Sequence, residues 1–503
     1  MPYIPLKLPP GLMRNGTKYQ AKGRWYDADL VRWNSGAMMA VGGWQKVMTT
    51  TGGTADIDLS AVIRGALAWR ANSQKPWLAL GTNAKAYSFS EGVLDEITPA
   101  SGYTAGGADA TLTVSNYGNA LYSGFAYGEG DPAQGTLVEA NSWQFDSFGQ
   151  KLIACCYSDG KILSYNLTGD LAVVDASAPT SCKAVVVTPE RFVVALGAGG
   201  DGRKVQWSDQ EDETTWTAAE GNDAGDFILP GAGQLMCGRR ARNETLLWTD
   251  HDIFAMRWIG GTLVYTFAPL GANCGIISRQ AVALVEGKAI WMSHRGFYLY
   301  DGFVQPIPCE ISDYIFSDIN KTQRSKIAAI PFSEWGEVWF CYPSAGSTEN
   351  DRIAIYNYVE GHFSLAQLSR TGGVDRGAFE YPMLTDATGA VYDHERGDGF
   401  VDTDDSTTLV PSAESGPIEI ARGDQIMMIR GIVPDDKTLG DVSAELYAAL
   451  YPDATETSQT GITLANPTSV RLSGRQVRLK IIQVNVGWRV GVPRLNVVPG
   501  GLR

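Results

Sequence analysis

AIWMSHRGFYLYDG, residues 289–302, is an apolar strand, a tight polar turn carrying Gly296, and a second strand rich in aromatic residues. Two β-prone runs joined by a glycine-bearing turn form a hairpin. The same order returns in WLALGTNAKAYSFS from 77, LIACCYSDGKILSYN from 152, FVVALGAGGDGRKVQWSD from 192, LLWTDHDIFAMRW from 246, EVWFCYPSAGSTENDRIAIYNY from 337 and PMLTDATGAVYDHE from 382. With Leu80, Cys155, Ala195, Trp248, Met292, Phe340 and Leu384 as equivalent points, the steps are 75, 40, 53, 44, 48 and 44 residues. A four-stranded propeller blade repeats every roughly 40–50 residues. A lone hairpin leaves edges and faces uncovered, and a closed ring of them covers both. The chain is therefore expected to be all-β, with a β-propeller of about six to eight blades over 56–400. A pair of β-sandwiches would show the same rhythm.

Composition agrees with short strands and tight turns: 503 residues include 57 glycines, 14 tryptophans and 21 tyrosines. After residue 400 the texture changes. PIEIARGDQIMMIRGIVP, DVSAELYAALYP and SVRLSGRQVRLKIIQVNVGWRV alternate with period two, which predicts a β-sandwich-like platform over 401–503. Residues 1–26 hold Lys7, Arg14, Lys18, Lys22 and Arg24 with no acid, and residues 471–503 hold six arginines and Lys480 with none. The ends thus carry +12 of a net charge of −14, leaving −26 in the middle. This shared charge suggests that an N-terminal arm, 1–55, packs on the C-terminal platform. Net acidity argues against a surface that grips duplex phosphate, because that affinity comes from lysine and arginine displacing counterions.

Seven cysteines without CxxC spacing, several inside apolar runs such as LIACCY, read as reduced thiols packed in strands. The start, MPYIPLKLPPGLMRNG, lacks the apolar core of a signal peptide, and no run approaches the roughly 18 apolar residues of a membrane span. Synthesis in a cytoplasm is the expectation. Catalytic and metal motifs fail on detail. His251, His294 and His394 fall in or beside hairpin turns with no paired-ligand spacing, which predicts surface histidines. GAGGDGRK, 197–204, resembles a phosphate loop, but Arg203 intrudes and a strand follows, so a hairpin turn is expected. WSDQEDETTW, 207–216, crowds Asp209, Glu211, Asp212 and Glu213 between two tryptophans. It lacks the glycine of a calcium loop. It reads as a solvated acidic loop and a candidate docking site, with a carbohydrate-cleaving pair as the competing reading. No cofactor is implied.

The 75-residue step contains an insertion, 101–140, with eight glycines, four acids and no lysine or arginine. Its stretch TLTVSNY suggests a projecting hairpin.

VVVTPERFVVALGAGGDGRKVQWSDQED (185–212), NCGIISRQAVA (273–283), HRGFYLYDG (294–302), PSAGSTENDRIAIYNY (343–358) and RTGGVDRGAF (370–379) resemble the tail nozzle proteins of short-tailed bacteriophages, also called packaged-DNA stabilisation or tail hub proteins. Looser similarity runs through RWYDADLVRW (24–33) and NPTSVRLSGRQVRL (466–479). The resemblance implies a structural, non-enzymatic virion protein of the tail: a hexameric tube below the portal and adaptor that retains packaged double-stranded DNA and conducts it on ejection, with fibres or spikes docked outside. On that basis Tyr103, Tyr117, Tyr122, Phe125 and Tyr127 of the insertion are candidates for a channel gate. Arg471, Arg475, Arg478 and Lys480 are candidates for an adaptor- or DNA-facing basic platform. The alternative reading is a carbohydrate-binding or glycosidase propeller of a phage tail.

Overall fold

Each of the seven recurring hairpins becomes the second and third strands of a four-stranded antiparallel blade in the computed structural model of the chain. The structure describes residues 3–50, 55–113, 136–397, 409–419, 425–435, 437, 440–452, 454–485 and 487–501. Blades 1 to 6 run from Ile63–Arg70 to Val93–Glu96, Trp143–Phe148 to Ala172–Val173, Ala184–Val187 to Gly225–Ile228, Leu235–Arg240 to Tyr265–Gly271, Val282–Val285 to Val304–Ile307, and Ala328–Phe332 to His362–Ala366. Blade 7 takes Gly372–Val374, Met383–Thr385 and Val391–His394 from its own stretch and its outer strand, Trp44–Lys46, from the N-terminal region. The fold is thus a seven-bladed β-propeller carrying a second, β-sandwich body.

The borrowed strand closes the ring, pairing His394 with Trp44, Asp393 with Gln45 and Tyr392 with Lys46. The Trp44 ring stacks on His394 at 5.3 Å, and the His394 Nε2 accepts a 2.8 Å hydrogen bond from the Arg370 Nε. Just upstream, the strand Val31–Asn34 places Arg32 between Glu337 of blade 6 at 3.1 Å and Glu395 of blade 7 at 2.7 Å, with all three side chains buried. A charge removed from water needs such partners to be tolerated. The expected arm 1–55 therefore divides: its first part joins the platform, while Trp44–Lys46 belongs to the propeller. His394, expected in a surface turn, is fully buried, because this closing contact covers the end of its strand.

The platform is a sandwich of two sheets built from both chain ends. One orders Tyr3–Pro5, Arg494–Pro499, Met427–Val433 and Thr468–Gly474. The other is built around Trp25–Asp29, Ser412–Ser415, Gln476–Gln483, Val442–Ala449 and Thr457–Thr463. Chain ends far apart in sequence meet because Ile4 pairs with Leu495 and Trp25 with Ser415. One apolar cluster runs from Trp291, Phe297 and Phe340 of the propeller through Trp25 and Trp33 to Ile429, Leu446, Leu479 and Val497 of the sandwich. The platform is therefore seated on the propeller by core packing, with Leu12 N–H donating to the Phe363 carbonyl on the outer strand of blade 6 at 2.9 Å.

Burial, with Arg370 and Arg32 nearby, holds His394 well below the usual imidazole range. The folded chain keeps it neutral while the unfolded chain protonates it below about pH 6.5, so its contribution to stability is present above that pH and is lost as pH falls. In urea melts at a series of pH values, the unfolding free energy of the wild type is expected to fall relative to His394→Gln by up to about 1.4 kcal/mol per pH unit between pH 6 and 4. A difference that stays constant with pH would contradict this.

Candidate functional surfaces

The basic run of the C-terminal region does not form one surface. At Gly474 the chain leaves one platform sheet and at Gln476 it enters the other; a Cβ on Gly474 would lie 2.9 Å from the Ala449 carbonyl oxygen, so the crossing needs glycine. Arg471 stays on the first sheet and is exposed. Arg475 sits at the crossing, its N–H bonded to the Ala449 carbonyl at 2.9 Å. Arg478 and Lys480 lie on the second sheet. Arg478 is held by Glu414 and Glu456 and stacks over Tyr447 at 4.9 Å. Lys480 stands in register between Glu414 and Glu445. The second sheet's outer face is therefore charge-compensated.

The first sheet's outer face is different. Alternation buries Met427, Ile429, Val470, Leu472, Leu495 and Val497 and turns Met428, Arg430, Arg471, Arg494 and Tyr3 outward. Lys7, just past its edge strand, is also exposed, and none of the four strands contains an acidic residue. This is a cationic face interleaved with apolar side chains, the kind that recognises an anionic surface. Arg430 and Arg494 escaped the sequence reading, although MMIRGIV and RLNVV each carry a cation out of phase with their buried positions, which is the signal that places both on one side.

The second surface is the propeller's mouth. The insertion leaves between blades 1 and 2 and crosses to the loops that lead into blades 5 and 6. Ala110 exchanges two backbone hydrogen bonds with the Gln323 amide at 3.1 and 3.0 Å. The Lys326 ammonium, fully buried, contacts Asp109, the Thr348 carbonyl at 2.6 Å and Glu349 at 2.8 Å. Arg64 donates to Glu349 at 2.7 Å and to the Ala108 carbonyl at 3.3 Å. On the returning strand Glu139 meets Arg279, whose guanidinium lies 3.8 Å over the Tyr157 ring. The strands Thr111–Thr113 and Thr136–Val138 pair as a short stem. Beneath, the axis holds a cavity of about 70 Å³ lined by Gln144, Arg239 and Gln280, room for about two waters.

Of the gate candidates, Tyr103 is half-buried against the propeller: its ring stacks on Trp143 at 5.7 Å and its hydroxyl is 3.5 Å from the Cys156 Sγ. It packs at the insertion's base instead of projecting. Tyr117, Tyr122, Phe125 and Tyr127 lie outside the described residues.

The acidic loop is a built turn between the third and fourth strands of blade 3. Trp207 and Trp216 are buried beneath it, and the Trp216 Nε1 donates to the Glu213 carbonyl at 2.8 Å. Glu213 is paired with Lys151 of blade 2. Asp212 accepts from the Thr214 N–H and hydroxyl at 2.8 and 2.6 Å, which hold its carboxyl below the usual range. Asp209 accepts from the Gln210 and Asp223 N–H groups at 2.9 and 2.8 Å. Only Glu211 extends fully into solvent, 3.9 Å from Arg191. The Asp209 and Asp212 carboxylates hold the loop's own backbone, and Glu213 ties it to blade 2. GAGGDGRK is a hairpin turn with Gly197, Gly199 and Gly200 at positive φ. All seven cysteines are free thiols. Among the described residues no group of three or more histidine, cysteine or acidic side chains is placed to hold a metal ion, and no helix is long and apolar enough to cross a membrane.

No protein-family model matches the chain, and no curated protein does. Among solved structures, it is similar to the WD40 domain of Pan2 from Neurospora crassa, at 10% identity and a TM-score of 0.39 over 73% of this chain and 97% of that one. It is also similar to an exo-β-1,3-galactanase from Phanerochaete chrysosporium, at 11% identity and a TM-score of 0.29 over 91% and 99%. A gluconolactonase from Xanthomonas campestris aligns at 9% identity and a TM-score of 0.32 over 78% and 97%. At these scores no activity transfers to this chain.

Removing one partner of a buried ion pair costs about 3–5 kcal/mol when the other charge stays buried. Because the Glu139–Arg279 pair anchors a stem and not a blade, Glu139→Ala is expected to open the stem locally. Hydrogen exchange at 111–113 and 136–138 should accelerate by roughly a hundredfold or more, with the blade strands unaffected. Exchange unchanged in the stem would show that the pair does not anchor it.

Proposed function

We propose that the chain is a structural virion protein that forms the tail nozzle of a short-tailed bacteriophage. In this reading several copies, six by the resemblance, stand below the portal and adaptor, retain packaged double-stranded DNA and conduct it at ejection, with fibres or spikes attached outside. The carrying observation is the cationic face of the platform, whose four strands contain no acidic residue, borne on a chain whose net charge is −14. A particle component that must hold anionic neighbours, copies of itself included, and let a polyanion slide past the rest would divide its charge this way.

The bore adds a constraint. A cavity of about 70 Å³ crossed by an ion-paired stem admits no nucleic acid, so a DNA conduit has to lie between copies, around a symmetry axis. The insertion is then the element placed to reach that axis, held at its base by Lys326, Arg64 and Arg279. The chemistry asked of the chain is mechanical and electrostatic rather than catalytic.

Deleting 105–135 and separating filled from empty particles on a density gradient tests this reading. Assembled particles should be mostly empty, with the deleted protein still present in the tail. Particles that keep their DNA would remove the gating role, and absence of the wild-type chain from purified virions would overturn the reading as a whole.

A further inference from the structure

The outer rim of blades 3 and 4 carries apolar side chains that nothing among the described residues covers. Phe227 and Ile228 on the last strand of blade 3 are 42% and 50% exposed, and Trp258, Ile259 and Leu263 at the outer hairpin of blade 4 are 49%, 53% and 71% exposed. Phe227 and Trp258 belong to one stripe, while Ile228 points to the opposite face of its strand. Phe227 stacks on Phe267 of the next blade with centroids 4.5 Å apart, Phe267 touches Trp207, and Tyr265 on the same strand pairs with Trp258. Both outer strands present free edges, which proteins ordinarily shorten, charge or cover. The flank is acidic: Glu211, Glu220, Asp223 and Asp226 are exposed beside it, with Lys204 3.4 Å from Asp226 and Arg257 paired to Glu244.

We infer that this rim docks on the cationic sheet face of a second copy of the chain. Apolar Tyr3 and Met428, 51% and 43% exposed, meet the stripe, and Arg471, Arg494 and Lys7 face the acids, so apolar area and opposite charge are matched together. The rim lies on blades 3 and 4, whereas the platform is seated on the outer strand of blade 6, so blade 5 separates the two surfaces within one copy. Two different patches that complement each other make a head-to-tail contact, which repeats from copy to copy until it closes a ring. This deepens the nozzle reading and rests on it for the ring's purpose. The contact itself follows from the two surfaces.

The test uses the purified full chain and two double variants, Trp258→Asp with Leu263→Asp on the rim and Arg471→Glu with Arg494→Glu on the face. All four positions are exposed, and melting temperatures close to wild type verify folding. Light scattering should find the wild type oligomeric at low salt and smaller at high salt, and each variant monomeric. Mixing the two variants should give a one-to-one dimer and nothing larger, because each retains the surface that the other lacks. A monomeric wild type, variants that still assemble, or a mixture that stays monomeric overturns the inference. If those variants nonetheless enter DNA-filled virions, the nozzle reading survives and only this contact is wrong. If the contact is confirmed but the chain is absent from virions, the contact stands without that function.

Discussion

Everything in this molecule depends on how the ring of blades is closed. Blade 7 supplies only three strands from its own stretch, and the fourth, Trp44–Lys46, arrives from more than 300 residues upstream. Without it, the Val391–His394 strand would be an open edge and His394, Trp339 and Phe332 would lose a wall of their pocket. Arg32 ties the incoming segment to blades 6 and 7 at once. A buried triad of one cation and two acids is weak evidence for stability, because desolvation offsets most of the attraction. Burial pushes the Glu337 carboxyl upward against the pull of Arg32.

Closure of this kind also explains why the platform is made from both ends of the chain. Once the N-terminal region must reach blade 7, the residues before it are held at the propeller's edge, where the chain leaving blade 7 also emerges. Pairing Tyr3–Pro5 with Arg494–Pro499 and Trp25–Asp29 with Ser412–Ser415 is the short route to burying both sets of apolar residues.

The propeller was legible in the sequence because the second and third strands of each blade are the best buried and are joined by tight turns, so they alternate apolar runs with glycine at a steady period. What was hidden was non-local. WQK, residues 44–46, has no periodicity of its own. His394 looks like any turn histidine until the closing strand covers it. The cations 471–480 look like one cluster until Gly474 sends them to two sheets. Lys326, Arg64 and Arg279 come from three separate parts of the chain, one of them the first strand of blade 1, and share partners where the insertion crosses the mouth. The acidic stretch at 207–216 was legible as a loop carried on two tryptophans; what the sequence hid is that Asp209 and Asp212 hold the loop's own backbone while Glu213 ties it to blade 2.

The mouth bears on how such a chain can act. Lys326 is fully buried and Arg64 nearly so, yet Glu349 alone serves both cations from the propeller side. Asp109 and Glu139 of the stem supply the missing negative charge, so the stem is part of the mouth's electrostatic balance and not an appendage laid upon it. Lifting it would leave Lys326, Arg64 and Arg279 with Glu349 as the one acid that the described contacts give them, a cost that disfavours spontaneous opening of the stem.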